Sequence, residues 1–140
     1  MENRDQLFDA AFHAAERAYA PYSHFRVGAA LLCADGTIVT GCNVENRSYG
    51  LTICAERNAV AAAVALGKSE FVEIAVACPD SAEPVPPCGA CRQVLSEFSG
   101  DSLAVIFRGS GKESREVMLG ELLPHDSLHD LAQKIQRDDG

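Results

Sequence analysis

The fold class predicted by this chain is a mixed α/β domain, a sheet of about five strands with helices on both faces. Three observations predict it. Strand-like runs alternate with helical ones after an initial hairpin, the pattern that builds a mixed sheet. The run from Cys54 to Leu66 is nearly all alanine and valine, and a helix apolar on most of its faces belongs in an interior layer. The 140 residues carry no internal repeat, linker or low-complexity segment, so residues 1–140 read as one domain long enough to bury a core.

Each element has its own signal. Asn3 to Ala20 reads as an amphipathic helix, with Asn3 as cap and Gln6 completing a capping box. Leu7, Phe8, Ala11, Phe12, Ala15 and Tyr19 fall at helical spacing, and Pro21 ends the run. Phe25 to Cys33 and Thr37 to Asn43 form a hairpin around an Asp35-Gly36 turn. Asn46 to Ile53 is a polar loop, followed by the alanine-rich helix with Gly67 at its C-terminal end. Phe71 to Cys78 is a third strand, and the proline-rich stretch from Asp80 to Pro87 leads into a helix over Gly89 to Phe98. Leu103 to Phe107 and Arg115 to Leu119 complete the sheet, with a turn at Gly109 to Glu113 between them. Glu121 to Pro124 reads as a brief turn, Ser127 to Arg137 as a surface helix, and the charged tail to Gly140 as frayed.

Composition narrows the function classes. Hydrophobic residues at 47% and charged residues at 23% are ordinary for a globular protein. No apolar run approaches the roughly 20 residues that span a bilayer. The N-terminal Met-Glu-Asn-Arg-Asp lacks a signal peptide's apolar segment, so a cytoplasmic protein without membrane contact is expected. A net charge of −8 opposes phosphate backbones and favours a small substrate over a nucleic acid polymer. Six cysteines arranged as three disulfides would suit a small secreted chain, not this one. Cys33, Cys42 and Cys78 lie in or beside apolar runs and read as small buried hydrophobes.

The other three cysteines carry the chemistry. Cys54-Ala55-Glu56 and Pro87-Cys88-Gly89-Ala90-Cys91 offer three thiolates for one Zn2+, leaving a corner of its tetrahedron for water. Zinc lowers the pKa of such a water toward neutrality. Glu56, two positions past Cys54, is placed to take the proton without binding the metal. Three thiolates on a dication leave a net negative site, so compensating charge is expected nearby. The N-terminal ends of the two helices face the sulfurs, and Arg57 and Arg92 each follow a ligand closely enough to donate to sulfur. Arg57 is therefore expected to tune the metal. A cysteine or histidine, any residue, glutamate, then Pro-Cys-x-x-Cys is the general pattern of zinc nucleobase deaminases, whose hydroxide attacks C4 of cytosine or C6 of adenine.

Longer motifs carry a resemblance. Pro21-Tyr22-Ser23-His24-Phe25-Arg26-Val27-Gly28-Ala29-Ala30, Gly41-Cys42-Asn43-Val44-Glu45-Asn46, Cys54-Ala55-Glu56-Arg57-Asn58-Ala59 and Pro87-Cys88-Gly89-Ala90-Cys91-Arg92-Gln93-Val94-Leu95 resemble the small homotetrameric cytidine deaminases over about residues 7 to 124. The resemblance implies a three-layer α/β/α sandwich, one zinc per subunit on Cys54, Cys88 and Cys91, and Glu56 as shuttle from water to the pyrimidine N3 and then to departing ammonia. It implies that Asn43 and Glu45 bond the ribose 3′-hydroxyl, Phe25 lies against the base, and backbone near Ala55 reads the pyrimidine edge. It further implies that Arg47 to Tyr49 lie in a loop near a subunit boundary, where a neighbour helps complete each pocket. The implied activity is conversion of cytidine and 2′-deoxycytidine to their uridine counterparts, a pyrimidine salvage step.

One departure from the family stands at the C-terminus. The family commonly carries an aromatic residue shortly after Leu-Leu-Pro that covers the base of a neighbouring subunit; here Leu122-Leu123-Pro124 is followed by His125-Asp126-Ser127, with no aromatic after Phe107. A roomier pocket tolerant of N4- or ring-modified cytidines is one expectation; stacking by His125 is another. The alternative function is deamination of another aminated pyrimidine nucleoside such as blasticidin S. A structural zinc knot is the bland reading of the cysteines, and no fourth Cys or His stands at a suitable spacing to close it. Phe25 alone would pass for a core aromatic, Asn43-x-Glu45 for a turn, and Tyr22, Arg47 and Tyr49 for interface packing.

Overall fold

Alternation along the strands sorts the core into two layers. The computed structural model describes residues 2–128 and Leu131. Its elements are α1 (Glu2–Ala15), β1 (Gly28–Cys33), β2 (Ile38–Cys42), a single 3-10 turn (Tyr49–Leu51), α2 (Ala55–Ala65), β3 (Phe71–Ala77), α3 (Gly89–Phe98), β4 (Ala104–Arg108), β5 (Ser114–Met118) and the one-turn α4 (Leu119–Leu122). The five-stranded sheet runs β2-β1-β3-β4-β5, parallel between β3 and β4 and antiparallel elsewhere. Ala30, Ala75, Ala77 and Ile106 pack with Leu7, Phe8 and Ala11 of α1. The alternate residues Leu31, Ile74, Val76 and Val105 pack with α2 and α3. Both sheet faces are thus covered, which is why the strands read as nearly continuous apolar runs.

Helix α1 ends sooner than its hydrophobic spacing suggests. Beyond Ala15 the amides of Glu16, Arg17 and Ala18 bond carbonyls three residues back, and Tyr19 leaves the helix altogether. Its N–H donates to Asn43 O at 3.0 Å and its carbonyl accepts from Glu45 N at 2.8 Å. Pairing with the strand after β2 has overridden local helix propensity, and Tyr19 is 56% exposed instead of buried. The helix also begins at Glu2, so Asn3 lies inside its first turn and not at the cap. The brief turn expected at Glu121 to Pro124 contains the end of α4. Ser127 and Leu128 form a turn; apart from Leu131, the rest of the expected C-terminal helix and the charged tail lie outside the described residues. No helix among the described residues is long and apolar enough to cross a membrane.

Two glycines let the helices settle directly on the hairpin. A methyl group at Gly28 would strike the backbone of α1 at Ala11 and Ala15, and one at Gly41 would strike α2 at Ala55 and Ala59. Neither obstacle can rotate away. Since Cys54 caps α2 and Glu56 lies in its first turn, Gly41→Ala is expected to cost about 1–3 kcal/mol of stability as an overpacked contact and to displace both residues. The check is a urea titration paired with turnover; a variant as stable and active as the parent would show that α2 does not rest on that glycine.

Surface ion pairs set the acid behaviour. Lys68 Nζ donates to Asp35 at 2.6 Å and holds its carboxyl well below the ordinary range, while Arg26 holds Asp80 down to about 2. Ser23 lowers Glu45, and Arg4 lowers Glu116, in the same way. Burial raises Glu73 and opposes the trend. Carboxyls with depressed folded values contribute stability above their unfolded values of about 4, and that contribution fades as pH falls toward the folded values. Exposure keeps each contribution small. The difference in urea midpoint between the parent and Lys68→Ala is therefore expected to shrink between pH 5.5 and pH 2.5; a difference that stays constant or grows in acid would refute the assignment.

Candidate active site

Two helices aim their N-terminal ends at one point beyond the carboxyl end of β3, the usual place for a ligand in an open α/β sheet. Cys54 is the N-cap of α2 and Cys88 the N-cap of α3, both with extended backbone, and neither side chain caps its own helix. Their sulfurs are therefore free to turn toward each other. Cys54 Sγ lies 3.7 Å from Cys88 Sγ, and Cys88 Sγ lies 3.5 Å from Cys91 Sγ. All three fall within 4.8 Å of one another. Disulfides require about 2.05 Å, and all six cysteines are free. A tetrahedron with metal–sulfur bonds of about 2.3 Å has edges of roughly 3.8 Å, so the spacing and the soft donor set fit zinc.

The compensating charge sits where expected on one side only. Arg57 donates through Nη2 to Cys54 Sγ at 3.4 Å, and contact with Cys54 and Cys91 pushes its own pKa further up. Arg92 points elsewhere, which corrects the expectation that it donates to sulfur. Its Nε bonds Pro87 O at 2.8 Å and its Nη1 bonds Leu122 O at 3.0 Å. One carbonyl precedes α3 and the other belongs to α4, and a planar fork that reaches both satisfies more backbone than a thiolate contact would. Arg92 thereby staples α3 to α4.

Proton affinity is spread unevenly over the cluster. A hydrogen bond from Cys91, seconded by Arg57 and Cys88, holds Cys54 well below the usual thiol value against the cost of burial. The same contact, with burial, drives Cys91 up. Glu56 is 4% exposed, and its burial pushes the carboxyl up to about 7 despite a bond to its own backbone. A carboxyl poised near neutrality can both accept and return a proton.

Glu56 opens on a cavity of about 180 Å³ shared with Asn43, Cys54, Ala55 and Cys88. Cys91 lies buried behind them. Val27, Val76 and Val85 make its wall mostly apolar, and Thr52, Cys78 and Pro86 complete it. None of these six was expected at the site, because only the order of strands brings the ends of β1 and β3 together. Cys78 is buried as expected but at the site itself, where desolvation pushes its thiol up to about 12, whereas Cys42 is only half-buried.

Besides Cys91 and Arg57, four expected site residues stand outside that lining. Phe25 packs half-buried on the core, and Arg47 is exposed. Tyr49 is 79% exposed and meets Tyr22 edge-on, ring centroids 6.4 Å apart. Glu45 accepts from Tyr22 N at 3.0 Å, Ser23 N at 3.2 Å and Ser23 Oγ at 2.5 Å. The Asn43 side chain, though it lines the cavity, also holds this segment: Oδ1 accepts from Val27 N at 2.9 Å and Nδ2 donates to Phe25 O at 2.8 Å.

Known proteins agree with this geometry. Residues 1–107 match the model of the cytidine and deoxycytidylate deaminase zinc-binding region. A cytidine deaminase of Halalkalibacterium halodurans is 48% identical over 122 residues, 87% of this chain and 92% of the relative. The crystal structure of a cytidine deaminase from Burkholderia pseudomallei superposes with a TM-score of 0.83 at 48% identity, covering 86% of this chain and 96% of that one. A blasticidin-S deaminase of Bacillus cereus is more distant, at 32% over 108 residues, 72% of this chain and 76% of the relative. Fold, thiol cluster and likeness converge, and the chain belongs to the cytidine deaminase family, as a hydrolytic deaminase that takes zinc.

Proposed function

We propose that the protein hydrolyses cytidine and 2′-deoxycytidine to uridine and 2′-deoxyuridine with release of ammonia, as a pyrimidine salvage enzyme of the cytoplasm. One observation carries the reading: a carboxyl 4% exposed opens on the same small cavity as Cys54 and Cys88. Cys54, Cys88 and Cys91 would hold the zinc, one per subunit, and the bound ion would supply a water of lowered pKa to attack C4. Glu56 takes a proton from that water and delivers it to N3, then moves the remaining hydroxyl proton to the amine. The C4–N bond breaks as the C4=O bond completes, and ammonia leaves. Apolar walls keep competing water out.

Binding roles follow from what each group has left to offer. The Asn43 amide uses one N–H and one lone pair within the chain, and Glu45 accepts three bonds, so each keeps capacity for a ribose 3′-hydroxyl. A contact made at the 3′ position serves ribose and deoxyribose alike. Phe25 lies against the base, and backbone near Ala55 reads the pyrimidine edge. The exposed Tyr49 and Leu51, with Arg47, suit a boundary of a homotetramer in which a neighbour closes the pocket. The whole chain, residues 1–140, acts as one catalytic domain. A net charge of −8 supports a free nucleoside and not a polynucleotide, and the Asn43-x-Glu45 pair suits an unmodified sugar better than blasticidin S.

Ammonia release from cytidine, deoxycytidine and N4-alkylated or acylated cytidines, before and after chelation, tests the reading. Cytidine should turn over and chelation should stop it; inertness on both unmodified nucleosides would overturn the assignment. The missing aromatic after Pro124 leads us to expect turnover of N4-substituted cytidines too, an expectation that their complete inertness beside fast cytidine would end. Arg57 tunes the metal through its bond to Cys54. Arg57→Ala should weaken zinc affinity or turnover about 10–100-fold, as outer-shell changes at metal sites do; unchanged values for both would reject that role.

A further inference from the structure

The segment 22–27 brings Val27 to the cavity without any regular secondary structure, so something other than a ladder must hold it. Backbone bonds from His24 N to Ala20 O and from Asn43 N to Val27 O hold its middle and end, Ser23 Oγ accepts from Phe25 N, and three further polar side chains add grips of their own. Glu45 grips the amides of Tyr22 and Ser23, and Asn43 grips Phe25 and Val27. Between these grips His24 turns the chain at φ 58°, a conformation that persists in a non-glycine residue only where its surroundings over-determine it. Arg26 supplies the third grip, and it reaches in a different direction.

Arg26 Nη2 donates to Asp80 Oδ1 at 2.8 Å, and its Nε and backbone N–H both donate to Asp80 Oδ2, at 2.9 and 2.8 Å. Asp80 lies in the turn just after β3, on the stretch that continues through Val85 and Pro86 to Cys88. The fork therefore joins the wall carrying Val27 to the wall carrying Val85, Pro86 and the thiol of Cys88. No other side-chain hydrogen bond among the described residues is shown between the two segments. With side chains 43% and 26% exposed, the pair does not support the core. A bidentate guanidinium–carboxylate contact reinforced by a backbone donor fixes direction as well as distance.

We propose that Arg26 and Asp80 are positioning residues for the deamination reaction, a clip across the pocket mouth that sets its width and governs substrate binding more than the chemical step. This rests on the proposed function. Neither side chain lines the cavity, so both act through the walls that they join.

The test compares the parent with Arg26→Gln, Asp80→Ala, the double variant and Arg26→Lys. Each of the first two should raise KM for cytidine about tenfold while kcat stays within about threefold, the signature of lost binding and not of lost chemistry. The double variant should be no worse than the more affected single one, because both remove the same interaction. Arg26→Lys, which keeps charge but loses the fork, should fall between. Zinc per chain should not change. In the parent, hydrogen exchange should find the Arg26 amide slower than its exposed neighbours, a reading independent of activity and of how the variants fold. Unchanged KM, a fall confined to kcat, additive losses or a freely exchanging Arg26 amide would each overturn the clip. A parent inert on cytidine would overturn the function instead, and the exchange measurement would still judge the clip.

Discussion

Glu56→Gln is expected to lower kcat by about 10²- to 10⁴-fold, the range for losing a general acid–base group, while the protein keeps its zinc. The substitution preserves size and hydrogen-bonding reach but leaves nothing that can carry a proton between water, N3 and the departing amine. Because Glu56 is buried and its carboxyl is pushed up to about 7 by that burial, a neutral amide should not destabilise the fold. The measurements are kcat on cytidine, zinc per chain and thermal midpoint. Turnover within tenfold of the parent would remove Glu56 from the chemistry. Loss of zinc would make it a ligand instead.

Cys91→Ala is expected to abolish both zinc and turnover. Cys91 is wholly buried behind the cavity, with Cys88 Sγ 3.5 Å away, and no other thiol or imidazole forms part of this group among the described residues. Adding zinc at a thousandfold excess over its dissociation constant stabilises a binding-competent fold by about 4 kcal/mol. The parent's melting temperature should therefore respond to zinc after chelation, and the variant's should not. One equivalent of zinc retained in an active variant would show that Cys91 is merely a core residue.

How far the sequence carries the structure depends on whether the signal is local. Helix α3 spans Gly89–Phe98 as expected, because a thiol N-cap, a following glycine and apolar spacing all lie within ten residues. The hairpin is equally local, with β1 and β2 in register from Gly28 with Cys42 to Leu32 with Ile38, although its first strand opens at Gly28 and not at the expected Phe25. The thiol cluster and the buried Glu56 were legible because metal chemistry demands particular atoms at particular spacings. What escaped depends on distant pairings. Tyr19 was drawn out of its helix by Val44; Arg92 found carbonyls at Pro87 and Leu122. The apolar lining arises only once β1 lies beside β3. Asn43 and Glu45 were recognised by resemblance, but their grip on the segment 22–27 has no counterpart in periodicity.

The placement of the two helix caps bears on more than the reaction. Cys54 and Cys88 are 34 positions apart, and the stretch between them contains β3, the middle strand of the sheet. An ion held by both acts as a hoop around that strand, a cross-link whose closure of a loop this long is worth about 4 kcal/mol in the chain-entropy model. Against total stabilities of roughly 5–15 kcal/mol, that is a sizeable share. The centre of the architecture and the reactive centre are thus fastened by one buckle, and loosening it thins the margin of the whole fold along with the chemistry proposed for it.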